Sequence, residues 1–207
     1  MFDLWLRPIK ERLLFPFASA LDRRVRPMTV TLAGFLVGTG AAVLAARATF
    51  GLALGCWLLN RLLDGFDGTL ARAQHAESDI GGYADLLLDF VVYAAIPVGL
   101  VLGSSSADRA TLAVAALALI GTFYVNAASW MYLSALLERR GMGARMRGEL
   151  TSVTMPQGLV GGTETIVFYT LFFLLPAHLV ALFLLMAALI VITIVQRFVW
   201  AVRQLGD

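Results

Sequence analysis

Long apolar segments dominate this chain and restrict what it can fold into. A helix needs about 20 apolar residues to cross a bilayer, and six stretches of this kind can be placed along the sequence, at 30–48, 52–73, 81–103, 109–137, 157–176 and 178–203. Because 59% of the 207 residues are hydrophobic and only 14% are charged, the composition excludes an ordinary soluble domain. The sequence therefore predicts an all-α integral membrane protein with a bundle of six transmembrane helices.

The chain length allows a single membrane domain, 1–207, with an N-terminal segment, 1–27, and the six-helix bundle, 28–207. In the N-terminal segment, apolar side chains at helical spacing can share one face, namely Leu6, Leu13, Leu14 and Phe17. The charged side chains of the segment point elsewhere. We therefore expect an amphipathic helix that lies on the membrane surface, with an ordinary loop as the alternative.

The basic residues orient the predicted bundle. They precede the first span, end the second and fill the fourth connection: Arg7, Lys10, Arg12, Arg23, Arg24, Arg26, Arg72, Arg139, Arg140, Arg145 and Arg147. The opposite connections carry only Arg47 and Arg109. Since cytoplasmic connections are enriched in Lys and Arg, both termini and the polar ends of the second and third helices are predicted to face the cytoplasm.

Four aspartates occupy those polar ends, in the stretch "LLDGFDGTLARAQHAESDIGGYADLLLDF". Asp64 and Asp67 share one helical face, and Asp85 and Asp89 share a face of the next helix. A short turn makes the two helices antiparallel, so the acidic faces can meet. A helix-end pair with solvated surface charges would be the simpler interpretation, but it does not explain four carboxylates that face one another.

The four carboxylates require compensating positive charge, because each charge deep in a bilayer costs about 3 kcal/mol. One arginine, Arg61 or Arg72, is not enough. All-oxygen ligation indicates Mg²⁺, Mn²⁺ or Ca²⁺, and two such ions commonly clamp a phosphate during displacement. Small residues on the same helices leave room for a phosphate-bearing group, although helix packing alone could also explain them.

These residues form the pattern Asp64-x-x-Asp67-Gly68-x-x-Ala71-Arg72, then eight residues, then Gly81-x-x-x-Asp85-x-x-x-Asp89. This pattern resembles the signature of the CDP-alcohol phosphotransferases, integral membrane enzymes of phospholipid synthesis. All eight positions are present at the expected spacing, and the predicted helices resemble the family along almost the whole chain.

The resemblance implies a reaction and a set of roles. A CDP-linked donor, commonly CDP-diacylglycerol, binds through two divalent cations, Mg²⁺ or Mn²⁺, and an alcohol displaces CMP. Asp64, Asp67, Asp85 and Asp89 would be metal ligands, and Asp89 would also act as general base.

The resemblance also implies a nucleotide site. Gly68, Ala71 and Arg72 would line the cytidine pocket, and Gly81 would lie close to the diphosphate. In "RPMTVTL", Thr31 matches the threonine of a Pro-Asn-x-x-Thr element, with Met28 at the asparagine position. Thr31 is therefore a candidate nucleotide contact, with Thr29 as the alternative. A homodimer is also implied, and nothing in the sequence indicates a nucleic-acid partner.

The acceptor alcohol is left open by the sequence, and it can be a small molecule or a lipid. By location, Arg139, Glu164 and Tyr169 are candidate acceptor-pocket residues. In some family members that use phosphate-bearing acceptors, the resemblance implies an arginine and a proline at the positions of Thr165 and Leu86. Their replacement here disfavours acceptors of that kind.

Two other classes of function are compatible with an acidic membrane helix pair. A divalent-cation transporter would also place carboxylates inside the membrane, but here the acids cluster at one face only. A non-catalytic lipid-binding relative is the second alternative, and the intact acidic set disfavours it.

Overall fold

The computed structural model describes residues 3–21, 25–105, 108–142 and 158–205, with side chains described from residue 12 onward. This part of the chain is helical and contains no strand. The helices are α1 (Asp3–Ala20), α2 (Pro27–Ala46), α3 (Phe50–Gln74), α4 (Asp79–Gly103), α5 (Arg109–Arg139), α6 (Gly162–Leu174) and α7 (Leu179–Leu205), with a 3-10 turn at Pro176–His178. The basic residues Arg23, Arg24, Arg145 and Arg147 lie outside the described ranges.

Four of these helices are long and apolar enough to cross a membrane: α2, α4, α5 and α7 together with its preceding turn. Large apolar side chains along them are exposed, such as Leu36, Leu102 and Phe198, as expected for surfaces that face lipid. The prediction of an all-helical membrane protein is confirmed. The count of six spans stays a prediction, since α3 and α6 do not meet the same criteria.

Helices α3 and α6 fall short of the criteria for a membrane span for different reasons. Helix α3 has 25 residues, but its polar half carries the charged residues of the acidic motif. Helix α6 has only 13 residues, which corresponds to about 20 Å of helix, less than the roughly 30 Å of a hydrocarbon core. It begins at Gly162, later than the predicted start of the fifth span at 157.

Helix α1 is present where an amphipathic helix was expected. Its last turns contact α3 through Ala18, which is buried against Val30 and Leu70. Leu13 and Phe17, which were expected to share a face, are both exposed, at 64% and 68%. Exposed apolar side chains of this size are stable in a lipid environment rather than in water, which agrees with an interfacial helix.

Helix α2 packs most extensively against α3 and α4. Apart from Val30, its buried residues are small: Gly34, Gly38, Ala41, Ala42 and Ala45. Small residues allow helix backbones to approach closely in a membrane, where van der Waals packing replaces the hydrophobic effect. This close approach brings α2, α3 and α4 together at their polar ends.

Aromatic rings fill the centre of the bundle below those polar ends. The ring of Tyr169 stacks on Trp57 at a centroid distance of 5.1 Å and meets the edge of Tyr93 at 5.5 Å. Phe172 continues the cluster towards Phe183 at 4.8 Å. The core therefore joins α3, α4, α6 and α7 in one apolar cluster.

The α2–α4 contact generates a stability prediction. A Cβ at Gly99 would overlap the carbonyl oxygen of Ala42, so Gly99→Ala forces the helices apart. We expect a loss of about 1–3 kcal/mol, measured as a lower thermal unfolding midpoint in detergent. Gly40→Ala is the matched control, since a Cβ at Gly40 meets nothing within 4 Å. Equal effects of the two changes would contradict the argument.

Candidate active site

The α3–α4 hairpin positions the acidic residues. Helix α3 ends at His75, which adopts the left-handed conformation with φ of 51° and thereby reverses the chain. Helix α4 begins after Ser78, whose hydroxyl oxygen accepts a hydrogen bond from the Gly81 amide at 3.1 Å. This is a side-chain N-cap of the kind that starts helices. The short connection reverses the chain direction between α3 and α4, as predicted from the sequence, and α2 packs against both helices.

One cleft at the polar ends of α2, α3 and α4 is lined by all four aspartates, Asp64, Asp67, Asp85 and Asp89. The expected meeting of the two acidic faces is therefore present in the structure. Asp67 is 5% exposed, whereas the side chains of Asp64 and Asp89 retain 28% and 22% exposure.

Helix α2 contributes hydrogen bonds to this cleft. The Thr31 hydroxyl donates to Oδ2 of Asp67 at 2.6 Å. The buried Asn60 donates from Nδ2 to the carbonyl oxygen of Gly34 at 2.9 Å, which fixes α3 against α2. Thr31, predicted as a nucleotide contact, thus lies in the cleft and orients a carboxylate there.

A bidentate ion pair joins α3 to α4 at the bottom of the cleft. Nη2 of Arg61 lies 2.5 Å from Oδ1 of Asp89, and Nη1 lies 3.0 Å from Oδ2. Nη1 is also 3.8 Å from Oδ2 of Asp64. Arg61 therefore offsets part of the negative charge of the cluster.

The predicted cytidine-pocket residues lie along α3 next to the cleft. The guanidinium of Arg72 lies beside Gly68, about 3.5 Å from the position a Cβ would occupy there. Ala71 is half-buried, and Gly81 lies in the first turn of α4, close to Ser78. The structure thus brings Gly68 and Arg72 together, and their role in nucleotide binding stays a prediction.

The three candidate acceptor residues lie at different places. Arg139 is exposed in the last turn of α5. Glu164 accepts a hydrogen bond from the Gly161 amide at 3.0 Å and so caps the start of α6. Tyr169 is completely buried, and its hydroxyl donates to the carbonyl oxygen of Tyr93 at 2.7 Å. In this conformation Tyr169 belongs to the aromatic core, and an acceptor role for these residues stays a prediction.

The four carboxylates suit divalent cations chemically, since Mg²⁺ and Mn²⁺ prefer oxygen ligands. Within the described ranges, no three Asp, Glu, His or Cys side chains are already arranged to hold an ion. The side chains of Asp64 and Asp89 are partly exposed in the cleft, so a bound ion could reach their carboxylates. The residues present therefore fit such ions, with Asp64, Asp67, Asp85 and Asp89 as candidate ligands.

Several polar residues of the site were not assigned a role from the sequence. Asn60 and Tyr93 accept hydrogen bonds from the Arg61 side chain. In the sequence, the adjacent polar residues Asn60 and Arg61 inside an apolar run could have indicated a buried polar contact. Arg197 on α7 is not among the residues that line the cleft; it is 6% exposed and donates from Nη1 to Asn126 Oδ1 and Ser129 Oγ on α5, both at 2.7 Å. In the sequence, Arg197 lies near the end of the last apolar run, where a basic residue commonly marks the end of a transmembrane span.

Sequence comparison identifies relatives along most of the chain. Inner membrane protein YnjF of Escherichia coli K12 is 34% identical over 178 residues, which cover 86% of this chain and 84% of the relative. The bifunctional IPC transferase and DIPP synthase of Thermococcus kodakarensis is 32% identical over 186 residues, or 88% of this chain. Only 40% of that relative's length is covered, so the similarity concerns one part of it.

Structural comparison agrees with the fold. The phosphatidylinositol phosphate synthase PgsA1 of Mycobacterium tuberculosis with CDP-DAG bound matches with a TM-score of 0.71 at 22% identity, covering 92% of this chain and 94% of the neighbour. The same enzyme in complex with manganese and citrate matches with a TM-score of 0.69 at 22% identity, covering 91% and 88%.

A family model of the CDP-alcohol phosphatidyltransferases matches residues 24–199. The match contains the whole acidic hairpin and every candidate site residue. The protein is a multi-pass membrane protein, and it belongs to the CDP-alcohol phosphatidyltransferase family of phospholipid-synthesising transferases.

Proposed function

We propose that the protein transfers a phosphatidyl-type group, a substituted phosphate, from CDP-diacylglycerol to an alcohol and releases CMP. The observation that carries this proposal is the convergence of Asp64, Asp67, Asp85 and Asp89 on one cleft at the ends of α3 and α4. The bound CDP-DAG of a structurally similar enzyme supports the donor, and the manganese complex supports a divalent metal.

The proposed reaction is an in-line displacement at the lipid-linked phosphorus. Asp89 accepts the proton of the acceptor hydroxyl, the hydroxyl oxygen forms a bond to the phosphorus, and the bond from that phosphorus to the CMP oxygen breaks. A carboxylate can act in this way when it lies within hydrogen-bond reach of the hydroxyl. Asp89 is suitably placed, since it lines the cleft and is partly exposed there.

Other residues would hold the donor. Gly68 and Arg72 form a bare helical face with an adjacent guanidinium, which suits a cytidine with its phosphate. Ala71, in the same helix as Gly68, and Gly81, in the first turn of α4, would complete the donor site. Two Mg²⁺ or Mn²⁺ ions, when bound by the carboxylates, would neutralise charge on the diphosphate and on the leaving CMP.

The aromatic core argues against a cation transporter. An ion that crosses the bundle needs polar groups along its path, but below Asp89 the described helices present the rings of Trp57, Tyr93 and Tyr169. Arg61 also places a positive charge at the entrance to this region. A non-catalytic lipid-binding relative is disfavoured because the complete acidic set is retained.

Topology and assembly are part of the proposal. We expect α3 and α6 to complete six spans within the assembled bundle, with the cleft facing the cytoplasm and two copies of the chain forming a homodimer. Arg139 and Glu164 would lie on the acceptor side of the same face. The excess of basic residues on one side supports the orientation.

The reaction is tested by CMP release from CDP-diacylglycerol by the purified protein with Mg²⁺ or Mn²⁺. The acceptor panel comprises glycerol 3-phosphate, serine, inositol, inositol phosphate and phosphatidylglycerol. We expect metal-dependent release with at least one acceptor. Folded protein that releases no CMP with any of them would overturn the proposed donor and reaction.

Asp89→Asn is expected to lower kcat by about 10²–10⁴-fold, as is typical for loss of a general base. Asp79→Asn is the matched control, because Asp79 lies on the same helix and is exposed outside the cleft. Near-normal turnover of Asp89→Asn, with both variants folded, would remove Asp89 from the proton transfer.

The orientation is tested by single-cysteine labelling in a Cys56→Ala background. Ala76→Cys lies in the α3–α4 turn and Ser105→Cys in the next connection, and both positions are exposed. In right-side-out vesicles, a membrane-impermeant maleimide should label only Ser105→Cys; after detergent it should label both. Labelling of Ala76→Cys in sealed right-side-out vesicles would contradict a cytoplasmic cleft.

A further inference from the structure

Arg61 is a buried cation that the proposed reaction does not use. It is 8% exposed and lies in the middle of α3, one turn before Asp64. A charged side chain at this depth in a membrane bundle is energetically costly. A side chain that only balanced the negative charge of the cleft would not need a fixed orientation. The contacts of Arg61 show a different arrangement, in which the guanidinium is held on several sides.

The guanidinium is fixed by three hydrogen-bonding partners and two rings. Nε donates to Asn60 Oδ1 at 2.9 Å, and Nη1 donates to the hydroxyl oxygen of Tyr93 at 2.7 Å. Its carbon lies 4.8 Å from the centre of the Trp57 ring and 5.1 Å from that of Tyr93. These contacts hold the two Nη atoms that face Asp89 in one orientation. A planar guanidinium can then donate two parallel hydrogen bonds to a carboxylate.

The supports of Arg61 are themselves anchored. Asn60 is tied to α2 through the Gly34 carbonyl at 2.9 Å. The Trp57 indole donates to Thr170 Oγ1 at 3.3 Å, and the Tyr93 ring packs against Tyr169. The position of the guanidinium is therefore determined by α2, α3, α4 and α6 together.

This arrangement has a direct consequence for Asp89. A carboxylate has two oxygens and about four acceptor positions, and the fork of Arg61 uses one on each oxygen. The positions that remain point away from the guanidinium, because its two Nη atoms face the two carboxylate oxygens. A proton can then be accepted only along those directions.

We propose that Arg61 is a positioning residue for Asp89. It aligns the carboxylate for proton transfer from the acceptor alcohol and offsets part of the negative charge of the cleft. This inference rests on the proposed function, since it assigns Asp89 as the base in that reaction. It predicts that turnover and metal affinity respond differently to substitution of Arg61.

Arg61→Lys is the deciding variant, because lysine keeps the charge but loses the bidentate fork. We expect kcat to fall about 100-fold, the lower range for loss of a general base, while the KM for CDP-diacylglycerol and the Mn²⁺ affinity stay near the wild-type values. Mn²⁺ binding is followed by electron paramagnetic resonance titration of the purified protein without lipid substrate. A kcat for Arg61→Lys equal to wild type would overturn the proposal.

Arg61→Met tests the charge component. Removal of the cation should tighten Mn²⁺ binding, since Asp89 then adds an uncompensated negative charge to the cleft, and kcat should fall at least as far as in Arg61→Lys. A residue that merely supported the fold would give weaker Mn²⁺ binding instead, and that result in folded protein would overturn the inference. Arg47→Met, at an exposed helix end, is the matched control and should change neither quantity.

If the Arg61 variants do not fold, Tyr93→Phe tests the same alignment. Tyr93→Phe keeps Arg61 and Asp89 and removes only the hydroxyl that fixes Nη1, so it should lower kcat without weakening Mn²⁺ binding. Unchanged kcat in this variant would contradict the proposed alignment. Wild-type protein that releases no CMP would overturn the proposed function, whereas the Mn²⁺ titrations of wild type and Arg61→Met would still test whether Arg61 restrains Asp89.

Discussion

Four carboxylates that share one cleft at the polar ends of two helices of a membrane protein are the constraint on which the rest of the structure depends. Each charge costs about 3 kcal/mol in the bilayer, and their mutual repulsion adds to this. The chain reduces that cost with donors from neighbouring helices, namely the Thr31 hydroxyl on Asp67 and the Arg61 guanidinium on Asp89. The cleft thus needs α2 as well as the α3–α4 hairpin that carries the acids.

Close helix packing makes this arrangement possible. Gly38 faces Asn60 and Val92, and Gly99 meets the backbone of Ala42, so α2 lies against both helices of the hairpin. Larger residues there would separate Thr31 from Asp67. Gly38 and Gly99 therefore contribute to the construction of the site through helix packing.

The acidic motif was predictable from the sequence because helical periodicity alone places Asp64 with Asp67 and Asp85 with Asp89 on common faces. The antiparallel hairpin followed from the short connection between two apolar runs. The count of six spans stays a prediction, since hydropathy does not show where a helix begins: α6 starts at Gly162 and has 13 residues. The acceptor candidates were chosen by location along the chain, and Tyr169 is enclosed in the core.

The sequence by itself determined the membrane class, the acidic hairpin and the family, because these depend on composition and on spacing within one or two adjacent helices. Only the tertiary structure decided which charges pair. Arg61 contacts Asp89, 28 residues away, and its orientation depends on Asn60 and on the rings of Trp57 and Tyr93. Such contacts depend on how helices pack side by side, and no local periodicity encodes the partners that this packing selects.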